Sequence, residues 1–298
     1  MKILVTGSSG LIGSALVAEL GRRGHDVLAA VRREPRSASE VRWDPAAGTI
    51  DTAALAGVEA VMHLAGAGIG DRRWTDAYKR EILESRTKGT RTIAEAIAAM
   101  PVKPRVFLSG SAIGFYGDRG NETVDETSAH GDGFLADVVR DWEAAAAPAV
   151  DAGIRTVYLR TGIVLTPRGG ALKKQLPLFK LGLGGRFGNG RQWQSWISLD
   201  DEIAAILHLL DSSLSGPVNL VAPNPVTNAG FTSVLAKVLR RPALLPIPSF
   251  GPALLLGGEL ADALLYTGQR VEPAALERDG FRFTHPELDG ALRAMLGR

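Results

Sequence analysis

The chain opens "MKILVTGSSGLIGSALVAELGRRG": an apolar run, a glycine-rich turn and an amphipathic helical pattern in immediate succession. No other feature of its 298 residues restricts the fold as strongly. Residues 2–7 are apolar without alternation, which suits a strand covered on both faces. In the turn, Gly7 permits the tight bend and Gly10 lets the backbone approach a ligand. Gly13 lets the following helix pack closely on the strand. The helix start then offers unpaired N–H groups and the positive end of its dipole to an anion. A glycine triplet alone is weak evidence. Placed after a strand and opening a helix, it reads as the pyrophosphate site of a dinucleotide.

The same alternation continues downstream. Strands are expected at 25–31, 59–66, 105–111 and 155–162, with helical spacing at 11–24, 74–100 and 131–143. Strand–helix alternation of this kind builds an α/β fold, a doubly wound parallel sheet covered on both faces. Past residue 165 the pattern changes. A Gly-rich loop (182–196) leads into "DDEIAAILHLLDSS", one more strand is expected at 217–223, and the remainder is helix-rich and punctuated by proline. The expected division is a nucleotide-binding domain over 1–165 and a smaller substrate-side domain over 166–298, with strand 217–223 returning to the first sheet.

Composition excludes several classes of chemistry. The absence of cysteine rules out disulfides, thiolate nucleophiles and Cys-bound zinc, and points to a reducing cytoplasm. A net charge of +2 is no nucleic-acid footprint. His25, His63, His130, His208 and His285 have no metal-ligand spacing, and His63 reads as a satisfied core residue. The acidic loop 118–126 lacks the spacing of a calcium site. The apolar tract 243–258 is broken by Pro246, Pro248 and Pro252, too short to span a bilayer, and reads as core or interface. A small-molecule substrate is expected, with neither nucleic acid nor membrane as partner.

The second strand selects the cofactor. A site specific for NAD wants an acidic residue at its end, to bond the ribose hydroxyls. This chain has Val31 followed by Arg32 and Arg33. Arginine suits a 2′-phosphate, so NADP(H) is expected. The small residues of "HLAGAG" (63–68) would let the cofactor lie against the backbone at the strand ends, with Leu64, Ala65 and Gly66 as its contacts.

Together these stretches resemble the extended short-chain dehydrogenase/reductases, and more narrowly an atypical branch labelled nucleoside-sugar-epimerase-like. The likeness runs nearly the full chain through "TGSSGLIG", "RRWTDAYKREILESR", "SGSAIGFYGDRG", "FLADVVRDWEAAA", "LRTGIVL", "GLGGRFGNGRQWQSWISLDD" and "GQRV". The resemblance implies a Rossmann sheet of about seven strands, a small C-terminal substrate domain and NADP(H). It also implies a serine, an asparagine and a Tyr-x-x-x-Lys pair for the chemistry. Ser111 matches the serine. Arg86 stands at the asparagine position. The Tyr and Lys positions fall on Leu135 and Val139, or on Phe134 and Val138, so that pair is missing.

Tyr116, five residues after Ser111, is the best remaining proton donor, with packing or substrate stacking as its alternatives. The expected cofactor contacts are Gly7, Ser9, Gly10, Leu11, Ile12 and Gly13 at the turn, Arg32 and Arg33, and Leu64, Ala65 and Gly66. By resemblance they also include Glu81, Arg86 and Val164. Glu81 could bond a ribose hydroxyl or hold Arg86 in place. Arg186, Arg191, Gln192 and Trp196 are candidates for holding a nucleotide-sugar, by analogy with the extended enzymes. Two functions fit: an NADP(H)-dependent oxidoreductase or epimerase, and an NADP(H)-binding sensor or scaffold that has lost its chemistry.

Overall fold

The doubly apolar runs become strands of one sheet in the computed structural model, which describes every residue except Leu244 and Ser249. The strands are β1 (Lys2–Thr6), β2 (Asp26–Val31), β3 (Glu40–Asp44), β4 (Thr49–Ile50), β5 (Val58–His63), β6 (Val106–Ala112), β7 (Arg155–Thr161) and β8 (Gly216–Leu220). Their order is β8-β7-β6-β5-β1-β2-β3-β4. Only β3 and β4 run antiparallel; every other pairing is parallel. β8 pairs with β7 from Gly216 to Leu220, so the last strand rejoins the first sheet. β3 and β4 were not expected. β3 is short and alternates apolar with charged residues, buried at Val41 and Trp43 and exposed at Arg42 and Asp44.

Burial explains why the central strands do not alternate. Ile3 and Val5 pack into one core with Leu16 and Leu20 of α1 (Leu11–Arg22) and with Ile203 and Leu207 of the helix Leu199–Asp211. Leu4, between them, packs on the opposite face with Ile93 and Ile97 of α2 (Asp76–Ala98). Both faces of the strand are therefore dry, and both demand hydrocarbon. A third core, with Leu172, Phe179, Trp196, Phe231 and Leu292, holds the C-terminal portion together. The tract 243–258, apart from Leu244 and Ser249 which lie outside the described residues, is not core. Its helix Phe250–Leu256 leaves Phe250, Leu254 and Leu255 about three-quarters exposed. Among the described residues, no helix is long and apolar enough to cross a membrane.

Two acidic neighbours in the first turn of the helix Leu199–Asp211 have different surroundings. Asp201 is buried but accepts hydrogen bonds from Ser198 Oγ and from the backbone N–H groups of Thr284 and His285, tying the C-terminal segment to this helix. Glu202 is equally buried and has one partner, Thr161 Oγ1 at 2.9 Å, while its Oε2 has none. Burial raises the Glu202 carboxyl from its ordinary 4.5 to about 8. Between these values the folded protein keeps a proton that the unfolded chain releases, so this group's contribution to stability falls as pH rises through the window. Glu202→Gln, neutral throughout, is expected to gain stability relative to the parent between pH 5 and pH 9, on the order of a few kcal/mol. Urea unfolding at both pH values reads this directly; a difference independent of pH would contradict it.

Candidate functional site

The order of the strands reverses at β1, where chain connections leave in opposite directions and a crevice opens beyond the strand ends. The glycine turn sits there. Gly7 adopts a left-handed φ of +68°, and a Cβ on it would meet the Leu64 backbone at 2.8 Å. A Cβ on Gly13 would lie 2.1 Å from the Gly7 carbonyl oxygen. Gly10 caps α1 with no side-chain acceptor, and no acidic residue occupies the first turn. The first N–H groups of α1 therefore face the crevice with no carboxylate to compete for them, which suits an anion.

The crevice continues into a cleft of about 1140 Å³. It brings together nine of the expected residues: Gly7, Ser9, Gly10, Arg32, Arg33, Leu64, Ala65, Gly66 and Glu81. Trp43, Tyr78, Ser85 and Lys88 also line it, and sequence reasoning did not select them for it. Leu11, Ile12 and Gly13 form the adjoining helix turn; the Leu11 side chain turns away, toward Gly169. Val164 lies outside the lining, in a short strand (Ile163–Leu165) paired with Trp196–Ser198.

The two arginines after β2 are not equivalent. Arg33 gives its fork to Glu40 (2.8 and 2.5 Å), which also accepts the Arg36 N–H. The Arg33 guanidinium, with that backbone N–H, holds the Glu40 carboxyl down to about 2. Arg33 is thus committed to a protein carboxylate. Arg32 lines the same cleft with no ion pair among the described residues.

Ser111, at the end of β6, is 5% exposed and donates to Glu143 Oε1 at 2.6 Å. Glu143 comes from α3 (Phe134–Ala144), and Arg160 of β7 clamps both of its oxygens at 2.8 and 2.9 Å. Arg160 also donates to the Tyr116 hydroxyl at 3.0 Å, which in turn donates to Asn219 Oδ1 at 2.7 Å. Tyr116 is 0% exposed. The expectation that it is the proton donor is corrected in favour of the packing alternative: a 3₁₀ turn (Ile113–Tyr116) folds its ring back into the core. Burial raises its hydroxyl above the ordinary 10, against the Arg160 guanidinium, which favours ionisation. The positions where Tyr and Lys were sought carry hydrocarbon; Leu135 and Val139 pack around Gly114.

Sequence reasoning missed Glu143 and Arg160. Glu143 lies at i+4 from Val139, so it continues the line of Leu135 and Val139 by one helical turn, and helical spacing could have found it. Arg160, a charge inside an apolar strand, was the matching signal.

Other expectations need correction. Glu81 does not hold Arg86; it faces Arg72 at 3.6 Å. Arg86 instead donates Nη1 to the Ala67 and Ile82 carbonyls, and its guanidinium lies over the Trp142 indole, 5.0 Å from the ring centroid. Trp196 is fully buried and cannot stack on a substrate, while Gln192 is spent on the Phe187 and Leu265 carbonyls. His63 is buried with Nδ1 bonded to Thr6 and Nε2 without a partner; desolvation lowers it to about 3 and keeps it neutral.

The arginine geometry yields a binding expectation. Arg32→Ala is expected to weaken NADPH by roughly tenfold while leaving NADH nearly unchanged. Arg33→Ala is expected to weaken both similarly, through the loosened Glu40. Fluorescence titration measures all four affinities. Equal NADPH losses with no effect on NADH in either variant would contradict the difference between the two arginines.

Comparison with known proteins identifies the family and the fold. The profile described as "NAD dependent epimerase/dehydratase family" matches residues 3–222, and "Domain of unknown function (DUF1731)" matches 247–295. The chain is 46% identical to "Epimerase family protein ML0860" of Mycobacterium leprae (strain TN), over 97% of this chain and 94% of that one. The crystal structure of human epimerase family protein SDR39U1 (isoform2) with NADPH superposes with a TM-score of 0.91 at 34% identity, covering 100% of this chain and 99% of that one. The nucleoside-diphosphate sugar epimerase from Corynebacterium glutamicum gives a TM-score of 0.81 at 40% identity, covering 100% of this chain and 58% of the longer one. The chain belongs to the NAD dependent epimerase/dehydratase family.

Proposed function

We propose that this protein binds NADP(H) and acts as an epimerase-like oxidoreductase on the carbonyl or alcohol carbon of a small, nucleotide-sugar-like substrate. The observation that carries this reading is the continuity of one cleft from Arg32, across the glycine turn, to the backbone floor at Leu64–Gly68. A dinucleotide fits that path. Arg32 serves a 2′-phosphate, the start of α1 with Leu11, Ile12 and Gly13 serves the pyrophosphate, and Leu64, Ala65 and Gly66 allow close backbone approach. Residues 1–165 with strand β8 form the cofactor side, and the remainder of 166–298 is the substrate side. The NADPH bound to human SDR39U1 and the likeness to the nucleoside-diphosphate sugar epimerase of C. glutamicum support the same assignment.

When bound, the nicotinamide supplies or receives the hydride. Ser111 orients the reacting oxygen. Its own proton points at Glu143, fixed by Arg160, so the lone pairs of Oγ remain to accept from a substrate hydroxyl. The proton then leaves to water or to the substrate's own groups, since Tyr116 is sealed in the core.

A second reading, an NADP(H) sensor or scaffold without turnover, is favoured by one observation. The face of α3 that would present the Tyr-x-x-x-Lys pair packs Leu135 and Val139 instead. Turnover separates the two. NADPH oxidation followed by absorbance across carbonyls, and conversion of nucleotide-sugars to their epimers followed by chromatography, are expected to reveal activity, with Ser111→Ala lowering kcat on the order of a hundredfold at unchanged NADPH affinity. Tight NADPH binding with no turnover on any of them would establish the sensor reading instead.

A further inference from the structure

Two buried or half-buried arginines lie just behind the site, Arg160 against the carboxylate that holds Ser111 and Arg86 against Gly66 of the cleft lining, and they are neutralised differently. Arg160 is closed on both sides by Glu143. Arg86 has no carboxylate within ion-pair distance among the described residues. Its Nη1 is held by two carbonyls, while Nε and Nη2 have no acceptor among the described residues and are not sealed from solvent. Desolvation lowers the guanidinium to about 10, so it stays charged at neutral pH. A half-buried cation without a counter-ion is costly unless a ligand supplies one.

The position narrows what that ligand is. Arg86 lies against Gly66 of the cleft lining, where a Cβ would come within 3.4 Å of its Cζ. The indole that supports it, Trp142, is fixed by a 2.8 Å hydrogen bond to Thr90 and packs against Gly110, the residue before Ser111. One indole thus separates Arg86 from the strand that carries Ser111. The cofactor's own anionic groups already have the α1 terminus and Arg32, at the other side of the crevice.

We infer that Arg86 is a specificity residue that recognises a carboxylate on the substrate, so that the preferred nucleotide-sugar is an acidic one, a uronate in place of a neutral hexose. This rests on the NADP(H)-linked nucleotide-sugar reading above. The planar fork of an arginine held by its backbone contacts suits a carboxylate, with two parallel N–H donors available.

The test needs no turnover. The NADPH-saturated protein is titrated calorimetrically with UDP-glucuronic acid and with UDP-glucose, which differ at the sugar carboxylate. UDP-glucuronic acid is expected to bind at least about tenfold tighter. Arg86→Gln should abolish that ratio while leaving NADPH affinity within a factor of two or three, and Arg86→Lys should restore part of it. Unchanged NADPH affinity also shows that the variant is folded. Equal binding of the two sugars by the parent, or a ratio that survives Arg86→Gln, overturns the inference. So does a loss of NADPH affinity in Arg86→Gln as large as the loss of discrimination, because the cation would then serve the cofactor. If NADPH binds and neither sugar does, the nucleotide-sugar reading fails and the inference falls with it. Failure of the parent to bind NADPH would instead overturn the cofactor assignment.

Discussion

A single close approach determines where everything else at the strand ends can lie. Gly13 sits so near the Gly7 carbonyl that a methyl group on it would be 2.1 Å from the oxygen. That contact presses α1 onto the end of β1 and leaves the first N–H groups of the helix over the crevice. The parallel sheet supplies the other half of the constraint. With both faces buried, only its edge beyond the strand ends is open to a ligand, and Arg32, Leu64 and Ser111 all follow from strands ending at that edge.

The second constraint is electrostatic. Glu143 and Arg160 are both almost wholly removed from water, and removing either would strand a charge in the interior at a cost of about 3–5 kcal/mol. The pair joins α3 to β7 and, through Tyr116 and Asn219, to β8. Ser111 is oriented by that same network. The helix that would present a Tyr-x-x-x-Lys pair thus keeps its packing stripe, Val138, Val139 and Trp142, and one turn later contributes a carboxylate that positions the serine. Packing and orientation have been kept where the usual acid/base groups are absent.

Much of this was legible from residue order, and what was missed has physical reasons. The glycine turn, the five central strands and the return of β8 rest on local signals, namely glycine placement and hydrocarbon covered on both faces. β3 escaped notice because it is short and carries charges on its exposed positions. Tyr116 was misplaced because sequence distance from Ser111 suggests a loop over the strand ends, whereas the 3₁₀ turn reverses direction within four residues. Arg33 looked equivalent to Arg32 until Glu40, seven residues away, came to face it across the loop. The Glu143–Arg160–Ser111 cluster joins three elements distant in sequence, and only the helical spacing of Glu143 and the isolated charge of Arg160 hinted at it.

The central claim is that a dinucleotide runs from Arg32 across the glycine turn with its reactive end beside Ser111. A crystal structure of the protein with NADPH tests it most directly. The expected result places the 2′-phosphate against Arg32, the pyrophosphate on the backbone of residues 10–13, and the nicotinamide ring over the strand ends next to the Ser111 hydroxyl. A cofactor lying in the cleft with its nicotinamide directed away from Ser111, or its 2′-phosphate remote from Arg32, would contradict it.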